Sequence, residues 1–306
     1  MSTTLVPLVL GGVPEHFMVP LEIAARDGRF KQLGFEVEWK QCPAGTAEML
    51  GGLTKGTLDI AFPLTESAVA GIASATHPNI RIIGSYVNTP LNWAISVATS
   101  AAFKSSDDLV GTRCAISRYG SGSHVMAAVF EEELRRQALA AGRPAPKPFE
   151  YVVAGTGDAM KDTLVEGKAD FFMWEYFTSK PWYDQGSLCH LTTRPTPWPA
   201  FCIASTTTSL SRLGPSSVRS VLNLITDLIR EFKLDETRAV RLVREIQPRY
   251  AEADARAWFA GVRYESDCAS ISKKVVEGTV DALKAAGVLK GDQAVGVWGR
   301  VVEEFR

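Results

Sequence analysis

Apolar runs at residues 5–10, 58–62, 79–87, 93–99, 111–117 and 169–173 have the length of buried strands. Residues 35–39 alternate as Phe35, Val37 and Trp39, the pattern of a strand with one buried face. Between these runs the spacing becomes helical. Phe17, Leu21, Ala24 and Ala25 share one face of a helix expected over residues 14–33, which Lys31, Gln32, Leu33 and Gly34 would close. A second helix is expected from about residue 124 to 141, and Pro144, Pro146 and Pro148 then read as a linker. Alternation of strand and helix predicts an α/β fold with mixed, mostly parallel sheets flanked by helices. From Pro215 onward only the helical period remains. Val221, Ile225, Leu228 and Phe232 mark one helix, and Ala239, Leu242, Val243 and Ile246 a second. Val276, Val280 and Leu283 mark a third before Gly287, so a solvated C-terminal helical segment is expected.

The pattern also repeats. Ala44, Gly45 and Thr46 precede a short helical stretch and then Leu53, Gly56 and Asp59 in the spacing LxxGxxD, followed by an apolar run. Ala154, Gly155 and Thr156 precede Leu164, Gly167 and Asp170 in the same spacing, again before an apolar run. Phe35, Glu36 and Val37 lie upstream of the first copy, and Phe149, Glu150 and Tyr151 upstream of the second. The physical reading is a duplicated strand–helix–strand unit. The glycine of each AGT makes the tight turn into the helix, the threonine caps it, and Gly56 and Gly167 end it.

Composition narrows the function. The 306 residues carry 33 Lys+Arg against 34 Asp+Glu, with no basic stripe, which argues against nucleic acid as a partner. The longest apolar runs fall far short of the ~20 residues of a membrane helix, so no membrane span is expected. Five scattered cysteines without a CxxC pair suit neither a disulfide framework nor a zinc site, and no metal is expected. With no basic residue before the first apolar stretch, no export signal is read, and a cytoplasmic location is the expectation.

The motifs then combine. Ala24, Ala25, Arg26, Asp27, Gly28, Arg29 and Phe30 come first, then Gly34 to Val37, Gly45 and Thr46, Asp59 to Ala61, Asp107 to Arg113, and Ala282 to Gly287. In this order, over nearly the whole chain, they resemble the substrate-binding proteins of the type II periplasmic-binding fold. The resemblance is to the sulfonate/taurine and thiamine-pyrimidine-precursor branch. The strings Ser117 to His124, Trp174 with Glu175, and Pro195 to Pro199 resemble a cytosolic subgroup of it. The resemblance implies two lobes, 1–90 plus 205–306 and 91–204. It also implies a two-strand hinge near 88–97 and 200–206, and a ligand cleft at the carboxyl ends of the strands.

Candidate site residues follow. Tyr119, Gly120, Ser121, Gly122, Ser123 and His124 lie between a strand and a helix, where amide and hydroxyl donors suit an anion, although no Walker lysine follows. The plainer reading is a glycine-rich turn with Ser123 as cap. Thr46 and Thr156 occupy equivalent turns, and Thr65, Glu66 and Ser67 follow the 58–62 strand. Trp174 and Glu175 end another strand. There an indole stacks on a flat ring and a carboxylate accepts from its amine, or else the tryptophan anchors the core and the glutamate caps a helix. Trp93 and Trp198 are further candidate walls, and His16, at the first helix start, a further candidate contact.

The function expected is a small-molecule-binding protein, carrier or sensor, closing on a planar polar ligand such as an aminopyrimidine or its phosphate. The alternatives are an enzyme of thiamine-pyrimidine-precursor formation and an alkyl sulfonate-binding protein. The related enzymes carry clustered cysteines and use pyridoxal phosphate. No such cluster occurs here, so binding is favoured over catalysis and no cofactor is expected. Ser123 and His124 are adjacent on a helix and do not face each other, which rules out a serine–histidine pair. With no export signal, a membrane permease is not an expected partner.

Overall fold

The computed structural model describes residues 4–294 and 298–299; the end of the chain, part of the expected first lobe, lies outside them. The chain forms two compact units. One takes the chain up to Thr89 and Trp198–Thr279, the other Pro90–Pro197 and Val280–Gly291.

The first unit begins β1 (Val6–Gly12), α1 (Val19–Arg26), β2 (Phe35–Gln41), α2 (Thr46–Lys55), β3 (Ile60–Ala61) and α3 (Thr65–Ala73). The long strand β4 (Ile80–Ala98) carries the chain into the second unit, which continues β5 (Arg113–Ile116), α4 (Gly122–Ala140), β6 (Glu150–Val153), α5 (Asp158–Val165), β7 (Phe171–Glu175) and α6 (Tyr176–Asp184). A second long strand, β8 (Leu188–Thr206), returns it. Then follow α7 (Thr207–Leu213), α8 (Pro215–Leu234), α9 (Glu236–Ile246), α10 (Glu252–Gly261) and α11 (Lys273–Ala285). Of these, α7 and α10 have no counterpart among the helices expected from spacing.

The sheet order is β2-β1-β3-β8 in the first unit and β4-β7-β5-β6 in the second. In each, three strands run parallel and the fourth antiparallel: β8 against β3, β4 against β7. The duplicated sequence unit is therefore a duplicated β-α-β crossover, β2-α2-β3 and β6-α5-β7. The aspartate of LxxGxxD does the same work in both copies. Asp59 Oδ2 accepts the backbone N–H of Val9 within β1 at 3.0 Å, and Asp170 Oδ2 accepts that of Arg113 at the head of β5 at 2.8 Å. Gly56 and Gly167 follow their helices with φ of 71° and 68°, a conformation that costs glycine little.

Three local expectations change. The helix expected over 14–33 is broken, because Gly28 takes φ 67° after α1 and the chain resumes as a 3-10 turn at Arg29–Leu33. The second AGT does not start its helix at threonine. Gly157, φ 58°, is the cap of α5, so Thr156 falls outside the helix while Thr46 is the first residue of α2. The runs 79–87 and 93–99 are one strand, β4, through Pro90. The amides of Asn88 and Thr89 both bond Arg263 O, and that of Leu91 donates to Thr196 Oγ1 at 3.0 Å. Side-chain and loop acceptors thus serve this stretch of backbone. The proline-rich string lies inside β8 by the same logic: Pro195 and Pro197 are exposed while Thr196, Trp198 and Ala200 are buried.

The core of the first unit includes Leu8, Leu10, Phe62 and Tyr86. The hydroxyls of Tyr86 and Tyr264 both donate to Phe17 O, at 2.8 and 3.0 Å. In the second unit Ala115, Met160, Leu164, Ala169, Phe172, Trp182 and Leu188 form a core with Trp174 packed on its edge.

Candidate functional site

In the first unit the candidate residues gather where β3 ends. Gly45, at φ 75°, turns the chain into α2, and Thr46 Oγ1 accepts the N–H of Leu64 at 3.0 Å, tying that turn to the β3–α3 loop. The loop is pinned from the other side by Cys202 N donating to Pro63 O and by the Leu64–Phe201 bridge. Thr46 therefore holds the loop rather than capping its own helix. The loop delivers Thr65, Glu66 and Ser67, all buried, into the first turn of α3. Trp198 Nε1 donates to Glu66 Oε2 at 2.8 Å. Among the described residues Glu66 Oε1 and Ser67 Oγ have no hydrogen-bond partner. Burial pushes the Glu66 carboxyl up to about 7.

His16 belongs to the helical layer of the same unit. It is wholly buried, with Nδ1 2.6 Å from the Tyr250 hydroxyl and its ring packed between Phe17 and the edge-on Trp258. Burial lowers it to about 3, so the imidazole is neutral at physiological pH.

In the second unit the turn before α4 is a network of serines. Ser121 is the cap, accepting from His124 N at 3.3 Å while its hydroxyl donates to Arg118 O at 2.7 Å. Ser123 Oγ accepts from Ser117 N at 2.9 Å and lies 2.9 Å from Ser121 Oγ. The cap is Ser121, not Ser123, because Gly122 and Ser123 already have helical geometry. Gly120 donates to His124 Nδ1 at 3.2 Å, which leaves the proton of neutral His124 on Nε2. Exposed Tyr119 and half-buried Tyr151 meet the His124 ring edge-on, with centroids 5.2 and 4.9 Å away.

The strand β7 ends at Glu175, which caps α6. Its Oε2 accepts from Thr178 N at 2.7 Å and from Thr178 Oγ1 at 2.9 Å, and burial raises its pKa to about 7. Trp174 meets Trp93 edge-on at 6.3 Å, and the buried Trp93 Nε1 has no partner among the described residues. The geometry thus ties together Trp93 and Trp174, Thr65, Glu66 and Trp198, and Tyr119, Ser121, Ser123 and His124. Thr156 joins none of these contacts.

Ser117, Tyr151, Tyr250 and Trp258 take part in these arrangements without having been candidates. Tyr250 and Trp258 lie more than 230 residues from His16, and nothing in the linear pattern links them. Among the described residues no three His, Cys, Asp or Glu cluster as metal ligands would, and no helix is long and apolar enough to cross a membrane.

A family model described as Ca3427-like PBP matches residues 93–193. The solved Candida albicans CA3427 gene product, described as defining a new family with the generic periplasmic binding protein fold, is 27% identical. That likeness covers 98% of this chain and 97% of that one, with a TM-score of 0.86. The alkanesulfonate-binding protein SsuA from Xanthomonas axonopodis pv. citri, bound to MOPS, is 16% identical over 96% and 97% of the chains, at TM-score 0.75. The nitrate-binding protein NrtA from Synechocystis is 14% identical over 98% and 86%, at TM-score 0.66. No curated protein matches. The chain thus has the type II periplasmic-binding-protein fold that the order of its sequence motifs implied.

Proposed function

We propose that the protein is a small-molecule carrier or sensor rather than an enzyme. The binding-protein fold supports a small-molecule-binding role. The observation that carries the reading further is the repeated placement of buried polar side chains where parallel strands end. Thr65, Glu66 and Ser67 follow β3, and Glu175 ends β7. Carboxyl ends of parallel strands are where α/β folds hold ligands. His16, held neutral in its aromatic cage, is too weak a base to support an acid–base role.

The ligand we favour is small, planar and nitrogen-bearing with a strongly polar tail, an aminopyrimidine or its phosphate. Trp93 and Trp174 supply aromatic surface, and the buried Trp93 indole N–H is a donor for a ring acceptor. A cytoplasmic role without a permease accords with five dispersed thiols. A thermal-shift screen of amines, heteroaromatics, phosphates and sulfonates tests the reading, since binding to the native state must raise Tm. A library without a single stabilising compound overturns it. A pyridoxal-phosphate absorbance band lost on replacing one lysine would establish the enzymatic alternative.

A further inference from the structure

The first turn of α3 places two buried oxygen atoms side by side in sequence without partners among the described residues, Oε1 of Glu66 and Oγ of Ser67. The Thr65 hydroxyl before them is a third buried oxygen without a hydrogen-bond partner among the described residues. Folded proteins leave few such groups unpaired, because burying a polar atom without a hydrogen bond is costly, and most so for a carboxylate. The carboxyl group is also fixed, since Trp198 holds Oε2 at 2.8 Å. The Trp198 indole and the Glu66 amide, which donate to the carboxyl group, are both neutral, so neither matches a charge on Glu66.

We propose that Glu66 and Ser67, with Thr65, form a subsite for a nitrogen group that donates hydrogen bonds, such as an amidine, a guanidine or the amino edge of a heteroaromatic ring, and that rejects oxyanions. The proposal rests on the small-molecule-binding reading and adds the chemistry of one end of the ligand. An ionised carboxylate only accepts, and a cationic N–H pair matches both its charge and its lone pairs. A sulfonate or phosphate brought to the same turn would set lone pairs and negative charge against Glu66. The Trp198 indole gives the carboxylate an apolar neighbour against which a flat group fits.

The test uses two probes of one shape and opposite chemistry, benzamidine and benzenesulfonate, on the full chain. Benzamidine is expected to raise Tm at millimolar concentration and benzenesulfonate to leave it unchanged. Glu66→Gln keeps an oxygen for Trp198 and is expected to weaken benzamidine at least about ten-fold. Ser67→Ala, which removes a hydroxyl without a partner among the described residues, is expected to weaken it by a smaller factor while folding normally. Benzamidine binding should strengthen from pH 6 to pH 8 as Glu66 ionises, and this dependence should vanish in Glu66→Gln. Benzenesulfonate stabilisation, absence of a benzamidine effect, or equal benzamidine affinity in both variants and the parent overturns the subsite. The broader binding reading survives those outcomes if other compounds raise Tm, and fails only with them.

Discussion

The indole of Trp198 donates to the carboxylate of Glu66 across 2.8 Å, joining residues 132 positions apart at the end of β3. Trp198 stands between two prolines inside β8, and the alternation of that strand turns it inward while Pro197 faces out. Trp198, a candidate wall by sequence, therefore orients a buried acid.

That acid sets a pH dependence. Burial raises the folded-state pKa of Glu66 to about 7, above its ordinary carboxylate value, so between those limits the folded protein holds a proton that the unfolded chain has released. The resulting stability is present at low pH and is lost as pH rises toward 7. Glu66→Gln should be more stable than the parent at pH 8 by about 2–3 kcal/mol, with the difference shrinking to near zero by pH 4.5. Urea unfolding at several pH values checks this; a variant less stable at pH 8 would sink it.

His16 acts in the opposite sense. Its folded-state pKa is depressed to about 3, so the unfolded chain binds the extra proton below about 6.5 and stability falls as pH falls. The His16 ring should show no NMR titration between pH 5 and 8. In unfolding curves His16→Gln should lose less stability than the parent on going from pH 6.5 to 4.5. A ring that titrates near 6.5 contradicts the buried cage.

Ser121 caps α4. Ser121→Ala removes its bond from His124 N and leaves Arg118 O without that donor, so it should cost about 1 kcal/mol in the ligand-free protein. Thermal denaturation measures it, and an unchanged Tm would show the serine to be idle in the fold.

Asp170 takes the backbone N–H of Arg113 and two of its guanidinium nitrogens, at 2.8, 3.0 and 2.8 Å. Asp170→Ala should destabilise by about 1–3 kcal/mol, the range for losing hydrogen bonds to a charged group. Because Arg113 holds the Asp170 carboxyl below its usual range, the parent's advantage should fade only under acid conditions, as pH drops through that lowered value. An advantage that persists unchanged at pH 2 would argue against the ion pair.

Gly84 lies in β4 where a Cβ would stand 1.9 Å from the backbone oxygen of Cys268. Gly84→Ala must displace one of the two chains, and a loss of about 1–3 kcal/mol is expected. Chemical denaturation tests it; tolerance of alanine would mean that the loop carrying Cys268 yields easily.

The sequence by itself determined the alternation of strand and helix, the duplicated crossover and its glycine stops, because these depend on local spacing and on residues within one turn of each other. Asp59 and Asp170 were visible for the same reason: each closes its own copy of the motif. Chemical roles at the candidate site were decided by tertiary structure. Whether Glu175 meets a ligand or caps α6 depends on where its carboxyl lies relative to Thr178 N, which strand-end sequence cannot fix. Thr46 and Thr156 look alike in sequence, but one extra glycine at 157 moves the second helix start, and only Thr46 reaches a neighbouring loop. His16 looks like an exposed residue at a helix start. Tyr250 and Trp258, brought in by the C-terminal helices from far along the chain, enclose it. Burial and hydrogen-bond partnership are long-range properties, and they decided which polar residues were spent on the fold and which, like Glu66 Oε1, had no partner among the described residues.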